Sequence, residues 1–244
     1  MRSRLFASHI GLWLIVTPAH AQYTGSIDLV HWGSVDAGHE AAIAESVAET
    51  VSAPPPAVPR SNKNPANKNP ASKNLGFVAS EKRRQQTVQA MVQRVRRSDP
   101  AAAAQLEQFL ATPDLFGLLD GALAPMGLKT TNLADAFAIW WIAAWNGSRG
   151  NNNTTDRATA QAVKRQAEAA LLSTPGIADL TDAQKQELAE SYLIQLALID
   201  ASIEWGKANP AGMEQVRRAI AQGAKASGMD LSGMILTEEG FVPA

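Results

Sequence analysis

Carboxylates are the main residues in this chain that could do chemistry, because histidine and cysteine are scarce. The sequence of 244 residues contains no cysteine and four histidines, His9, His20, His31 and His39. The chain beyond them therefore cannot build a Ser-His-Asp or Cys-His catalytic centre, or most zinc, copper or haem sites. It also lacks a convincing glycine-rich phosphate loop. We predict no catalytic residue of these kinds, no metal site and no cofactor.

Asp135 is the first candidate acid. It stands three residues after Asn132, where an acid stabilises the N-terminus of a helix. Two alternatives stay open. Neighbouring tryptophans could raise its pKa and make it a catalytic acid, or it could face a ligand or form a buried ion pair.

Three further candidate acids lie on one long predicted helix: Glu190, Asp200 and Glu204. Asp200 and Glu204 are one helical turn apart, and we expect both to face solvent. Such a pair could serve glycoside hydrolysis only if a substrate cleft ran between the two acids.

Aromatic and amide side chains are the candidate binding residues. Trp140, Trp141 and Trp145 cluster in one short stretch, while Tyr192 and Gln195 lie on or beside the apolar face of the long helix. A buried amide needs hydrogen-bond partners. We expect Gln195 either to join a structural network with Tyr192 or a neighbouring helix, or to line a ligand pocket. The tryptophans either form core or line that pocket.

The three tryptophans belong to a predicted helix over residues 132–145. Its apolar side chains cover nearly the whole circumference and Asp135 is its only charge, so the helix is predicted to be buried at the centre of the fold. Its apolar run is about 20 Å long, too short to span a hydrocarbon core of about 30 Å.

Helix-capping signals predict the elements around this central helix. They are Ser80, Asp99 before Pro100, a capping box from Thr181 to Gln184, and Asn209 before Pro210. The pattern predicts an all-α domain over residues 75–244, a single compact bundle of about six to seven helices. Residues 231–242 are predicted to form a small hairpin or an extended arm, and no larger sheet is expected.

Residues 1–21 have the pattern of a secretory signal peptide. Arg2 and Arg4 precede an apolar stretch, and an A-x-A cleavage box ends at Ala21. The pattern predicts export to the periplasm or secretion, with no transmembrane helix in the mature chain; the alternative is a retained membrane anchor. Without cysteine, a packed core and not disulfides must stabilise the mature protein.

Residues 22–74 are predicted to be a disordered linker. An acidic first portion is followed by a proline-rich run and by a repeated Asn-Lys-Asn-Pro-Ala unit without large apolar side chains. The lysines of the repeat predict a spacer or, alternatively, weak attraction to an anionic envelope surface. His31, Asp36, His39 and Glu40 could hold a metal weakly, but only if this segment became ordered.

The charge of the chain does not identify a partner class. The formal net charge is −1 at pH 7, and an exported protein is not expected to bind nucleic acid. Basic residues at both ends of the first predicted helix are expected to form a solvated face, with binding of anionic lipid or cell-wall polymer as the alternative. They are Lys82, Arg83, Arg84, Arg94, Arg96 and Arg97.

Three segments carry a resemblance to a known family. They are D-A-F-A-I-W-W-I-A-A-W-N-G at 135–147, A-Q-A-V-K-R-Q-A at 160–167 and L-T-E-E-G-F at 236–241. Over about 170 residues the chain resembles an uncharacterised family of bacterial exported helical proteins. The resemblance implies architecture and location, and it assigns no activity and no functional residue.

Two functions from different classes follow from these patterns. The first is an exported, non-catalytic helical module that binds a protein partner or an apolar or envelope ligand. The second is a carboxylate-dependent hydrolase acting on cell-envelope polymer, with Asp135, Glu190, Asp200 or Glu204 as its acids. A third possibility is that the tryptophans are all core and the protein acts through other surfaces.

Overall fold

The computed structural model describes residues 74–244. The predicted signal peptide, the linker up to residue 73 and all four histidines lie outside the described residues. The predictions made for them therefore stay predictions.

Seven α-helices and a β-hairpin make up most of the described part. In chain order they are α1 (Glu81–Ser98), α2 (Pro100–Leu110), α3 (Leu115–Leu123), α4 (Leu133–Ser148), α5 (Arg157–Ser173), α6 (Asp182–Ala208), α7 (Pro210–Ala226), β1 (Met234–Thr237) and β2 (Gly240–Pro243). The all-α bundle of six to seven helices is confirmed. Of the two alternatives for the last residues, the hairpin forms, with Met234 opposite Pro243 in an antiparallel register.

Local capping chemistry starts most helices where the sequence predicts. The Asp99 side chain accepts hydrogen bonds from the first turn of α2, and Thr181 and Gln184 form the predicted capping box of α6. The predicted side-chain cap at Asn209 is wrong. Its amide nitrogen donates instead to the carbonyl oxygen of Trp205, 2.9 Å away in the preceding helix. This hydrogen bond satisfies the last turn of α6, and α7 begins without a side-chain cap.

Two helices, α4 and α6, form the core of the bundle. α4 is buried along nearly its whole length, which confirms the central position predicted for the tryptophan helix. The sequence indicated one apolar face for α6, but between Gln186 and Ile199 almost every residue is buried. The reason is that α1, α4 and α7 all pack against it. No helix within residues 74–244 is both long and apolar enough to cross a membrane.

The remaining elements pack around these two helices. α5 and α7 lie against α4, α1 pairs with α2, and β2 lies against α5. The extended segment before α1 is held against the N-terminus of α4, where the Leu133 N–H donates to the carbonyl oxygen of Leu75 at 3.0 Å. Each side of the tryptophan helix is therefore covered by a different part of the chain.

Gly147, in the last turn of α4, lies where side chains of α6 and α7 pack tightly against this helix. A Cβ atom at this position would lie 2.9 Å from Cδ1 of Ile220 in α7 and 3.0 Å from Cγ2 of Ile199 in α6. Both distances are shorter than ordinary contacts between carbon atoms. Glycine is therefore required for α4 to meet α6 and α7 together.

We expect Gly147→Ala to lower the free energy of unfolding. Overpacking a core costs about 1–3 kcal/mol. Replacing glycine within a helix gains about 1 kcal/mol, so the overpacking cost is the larger of the two. Gly121→Ala in α3 is the matched control, because its Cβ would meet nothing within 4 Å. That variant should gain about 0.5–1 kcal/mol. Urea unfolding measures both, and equal stabilisation by the two substitutions would contradict the tight crossing.

Candidate functional site

The three tryptophans of α4 lie in different environments. Trp141 is completely buried, Trp140 is 3% exposed, and Trp145 is half-buried. Trp141 and Trp145 are one turn apart and share a face of the helix. This face therefore runs from the core to the surface.

Trp140 belongs to an aromatic cluster between α4 and α6. Its ring centroid lies 5.7 Å from that of Phe137 and 5.2 Å from that of Tyr192. These distances are typical of aromatic pairs in protein cores. Trp140 and Tyr192 therefore join the two central helices.

The C-terminal hairpin covers Trp141. Phe241 of β2 stacks on the indole with the ring centroids 4.3 Å apart, and the indole N–H donates to the sulfur of Met234 at 3.2 Å. Gln166 of α5 holds Phe241 by two hydrogen bonds. Its Nε2 donates to the Phe241 carbonyl oxygen at 2.7 Å, and its Oε1 accepts from the Phe241 N–H at 2.8 Å. The Gln166 amide thus gives β2 the donor and the acceptor that a neighbouring strand would provide.

Trp145 lies beside the first residue of the hairpin, near the protein surface. Its indole N–H donates to the Met234 carbonyl oxygen at 2.9 Å. The guanidinium carbon of Arg149 lies 3.9 Å from the ring centroid, a distance at which a cation is attracted to the face of an indole. We call Trp145 and Arg149 the Trp145 surface.

Gln195 lies inside the bundle and is 8% exposed. Both interpretations of its amide, a structural network with Tyr192 or a neighbouring helix and the lining of a ligand pocket, stay predictions.

Asp135 is a buried, paired charge. Its Oδ1 lies 2.6 Å from Nζ of Lys164 in α5, and its Oδ2 accepts a hydrogen bond from the Lys129 N–H at 2.9 Å. The cap of α4 is formed by Asn132, whose Oδ1 accepts from the Asp135 N–H at 3.1 Å. Of the interpretations open for Asp135, the paired charge is the one this geometry supports.

Glu190 is also buried and paired. Its Oε1 accepts from Nε of Arg84 in α1 at 3.0 Å and from Nε2 of Gln186 at 2.9 Å. Its Oε2 has no hydrogen-bond partner among the described residues. Burial raises the pKa of Glu190, and the hydrogen bonds from Gln186 and Arg84 lower it by less.

The basic residues of α1 do not all form a solvated face. Arg84 pairs with Glu190 and stacks over Phe116, and Arg83 donates to the side-chain oxygen of Gln186 at 3.0 Å. The expectation was wrong for these arginines because it was based on α1 alone. Their partners lie on α6, about a hundred residues further along the chain, and together they attach α1 to the core.

Asp200 and Glu204 converge on one amide of the loop after α4. Nδ2 of Asn152 donates to Asp200 at 2.6 Å and to Glu204 at 2.8 Å. The expectation of solvent exposure is confirmed for Glu204 and wrong for Asp200, which is half-buried. Burial raises the pKa of Asp200, whereas a hydrogen bond from Lys207 lowers the pKa of Glu204.

A comparison with family models places the chain among known sequences. The model described as "Family of unknown function (DUF6683)" matches residues 41–243. The chain belongs to this family. The match confirms the resemblance to an uncharacterised family, and it begins well before α1, so part of the predicted linker is included in the family's common sequence. Neither the search of curated proteins nor that of solved structures found a match.

Family membership assigns no role to any residue, so the candidate site residues are chosen from the geometry of the structure. The structure brings Trp140 and Tyr192 together, but it leaves Asp135 and Glu190 in separate helix interfaces. Sequence reasoning missed three polar residues that matter here: Asn152, Gln166 and Arg149. Asn152 and Gln166 act on partners that are distant in sequence, whereas Arg149 lies over Trp145, one helical turn before it. A run of asparagines after α4 was the only signal for Asn152.

Glu190 gives this family member a specific pH dependence of stability. Burial holds its folded-state pKa above the ordinary glutamate value of about 4.3. Its contribution to stability is therefore fully present below that value and is lost as pH rises through the folded-state pKa. Glu190→Gln removes the titration. The free energy of unfolding of the natural chain, relative to this variant, should be larger at about pH 4.5 than at about pH 7.

Urea unfolding across this pH range checks the expectation. Glu107→Gln is the control, because Glu107 also pairs with an arginine but lies exposed on α2. A stability difference for Glu190→Gln that is independent of pH would mean that Glu190 does not titrate in this range.

Proposed function

We propose that this family member is an exported, non-catalytic helical module that binds a protein partner or an apolar or envelope ligand at the Trp145 surface. One observation carries the proposal. Trp140 and Trp141 are buried, whereas Trp145 is half-buried beside the hairpin with Arg149 over its ring. Tryptophan and arginine are the side chains most enriched at the centres of binding sites. The signal-peptide pattern of residues 1–21 supports export.

The environments of two candidate acids favour binding over catalysis. Asp135 and Glu190 are each buried and paired with a cation of a neighbouring helix. Removing either would leave a partly buried lysine or arginine without its counter-ion. Both carboxylates therefore serve the architecture of the bundle.

The neighbouring strand adds an apolar contribution to the same region. β1 provides the carbonyl oxygen that binds the Trp145 indole, and its next residue, Ile235, is 47% exposed. Successive side chains of a strand point to opposite faces. Ile235 therefore faces outward while Met234 faces the core, and a partner could contact the strand and Trp145 together.

Tryptophan fluorescence of the mature protein tests the proposal. A ligand from a screen of cell-wall fragments, lipid vesicles and small apolar compounds should shift the emission and reduce quenching by acrylamide. Trp145→Phe should abolish this response, because the other two indoles of α4 are buried. Trp205→Phe is the matched control, since Trp205 is half-buried on α6 and should leave the response intact. A response that persists without Trp145, or no response to any ligand class, would overturn the proposal.

A hydrolase is the second candidate, and the convergence of Asp200 and Glu204 favours it. Burial that raises the pKa of Asp200 suits a general acid, and the lowered pKa of Glu204 suits a nucleophile. Because both carboxylates contact one nitrogen of Asn152, they lie closer than the about 6.5–9.5 Å found in inverting glycosidases. Such a spacing would suit a retaining enzyme, in which the second carboxylate acts as the nucleophile.

We expect Asp200→Asn and Glu204→Gln each to lower hydrolysis of cell-wall polysaccharide at least about 100-fold if the second candidate is correct. Release of reducing ends measures the reaction. Glu168→Gln, an exposed acid on α5, is the control and should keep full activity. Activity that survives both test substitutions would exclude this pair as catalytic. Absence of hydrolysis in every variant, the control included, would exclude it as well.

A further inference from the structure

Two arginines, one directly after α4 and one on α7, converge at the end of α4. Nη1 of Arg149 donates to the hydroxyl oxygen of Ser148 at 3.0 Å. Nε of Arg217, on α7, donates to the carbonyl oxygen of the same serine at 3.3 Å. We call Arg149 and Arg217 the arginine pair. It borders the Trp145 surface, because Arg149 belongs to both.

Contacts on both sides hold the arginine pair in position. Arg149 lies over the Trp145 ring, and its Nη1 also donates to the Trp145 carbonyl oxygen at 3.2 Å. The stem of Arg217 crosses Gly150, where a Cβ would lie 3.1 Å from Cδ of Arg217. Gly150 has a φ of +79°, which favours glycine. Side chains that are already ordered lose less conformational entropy when they bind a ligand.

The charge of the pair is only partly neutralised. Arg149 forms no ion pair with any carboxylate of the described residues. Burial and, to a smaller extent, the charge of Arg217 lower the pKa of Arg149. Arg217 has one carboxylate partner, Glu214 at 3.2 Å, which Arg218 shares. Two cations held together without an equal negative charge repel each other, and a bound anion relieves that repulsion.

We propose that the arginine pair binds a phosphate group. A guanidinium forms a planar fork of donors that matches the oxygens of phosphate, and two cations suit a dianion better than the single charge of a carboxylate. Nη2 of Arg149 makes only long contacts, 3.4 Å, with the carbonyl oxygens of Leu231 and Met234, and phosphate oxygens would replace these. The ligand would then lie beside Trp145, and its other parts would contact the indole. This inference rests on the proposed binding function and gives it a ligand class.

Contacts of the two arginines with carbonyl oxygens at the end of α4 also stabilise that helix end. Such a cap needs no phosphate, so the two roles differ in what they predict. A cap changes thermal stability alone. A phosphate site changes affinity for phosphate and, through Arg149, the fluorescence of Trp145.

The test is titration of the mature protein with inorganic phosphate at constant ionic strength, followed by tryptophan fluorescence and by thermal unfolding. We expect a saturable change in emission and a rise in Tm. Arg149→Gln and Arg217→Gln should each weaken the apparent affinity at least about tenfold. Arg218→Gln is the matched control. It removes the same charge from α7, one residue away, and should leave the affinity unchanged.

Vesicles distinguish free phosphate from phosphate on a lipid surface. The same variants are tested for binding to phosphatidylglycerol and, as a neutral comparison, phosphatidylcholine vesicles. Binding to the anionic vesicles that requires both arginines, without a response to inorganic phosphate, would assign the site to a phospholipid head group and would support the proposal.

Three outcomes would overturn the phosphate site. One is an equal loss of affinity in Arg218→Gln, which would show general charge attraction. Another is a lower Tm for Arg149→Gln and Arg217→Gln with unchanged affinity, which would leave only the cap. The third is no response of the natural chain to phosphate or to anionic vesicles. If Trp145 still responds to another ligand class, the phosphate inference fails while the proposed binding function stands.

Discussion

Burial of α4 on every side constrains each element that surrounds it. A buried indole N–H requires an acceptor, and β1 supplies two of them through the sulfur and the carbonyl oxygen of Met234. Phe241 covers Trp141, and an amide of α5 holds Phe241 in place. The last residues of the chain are thus ordered because the central helix would otherwise expose its aromatic face.

Two buried carboxylates fix the outer helices against this core. Asp135 pairs with Lys164 of α5, and Glu190 pairs with Arg84 of α1. A buried ion pair adds little net stability, because removing both charges from water costs about as much as their attraction returns. We interpret the pairs as a source of specificity, because a shift of α1 or α5 by one residue would separate a buried carboxylate from its cation.

The residues of the Trp145 surface and the arginine pair lie at the C-terminal end of α4. There Gly147 allows α6 and α7 to approach α4. Trp145 is half-buried at this end, and the arginine pair contacts Ser148, the last residue of the helix. The same helix therefore provides the rigid centre of the bundle and carries the proposed binding surface at its end. Binding residues attached to a rigid element stay close to their productive geometry.

The sequence by itself determined the helices, most of their caps and the burial of the tryptophan helix, because these depend on residues within one or two turns of each other. It allowed a hairpin at the end of the chain without deciding for it. Only the tertiary structure decided that Asp200 is half-buried, that Arg84 meets Glu190 and that Arg149 and Arg217 both contact Ser148. Each depends on which helices become neighbours, and the packing of the complete core decides that, not local periodicity.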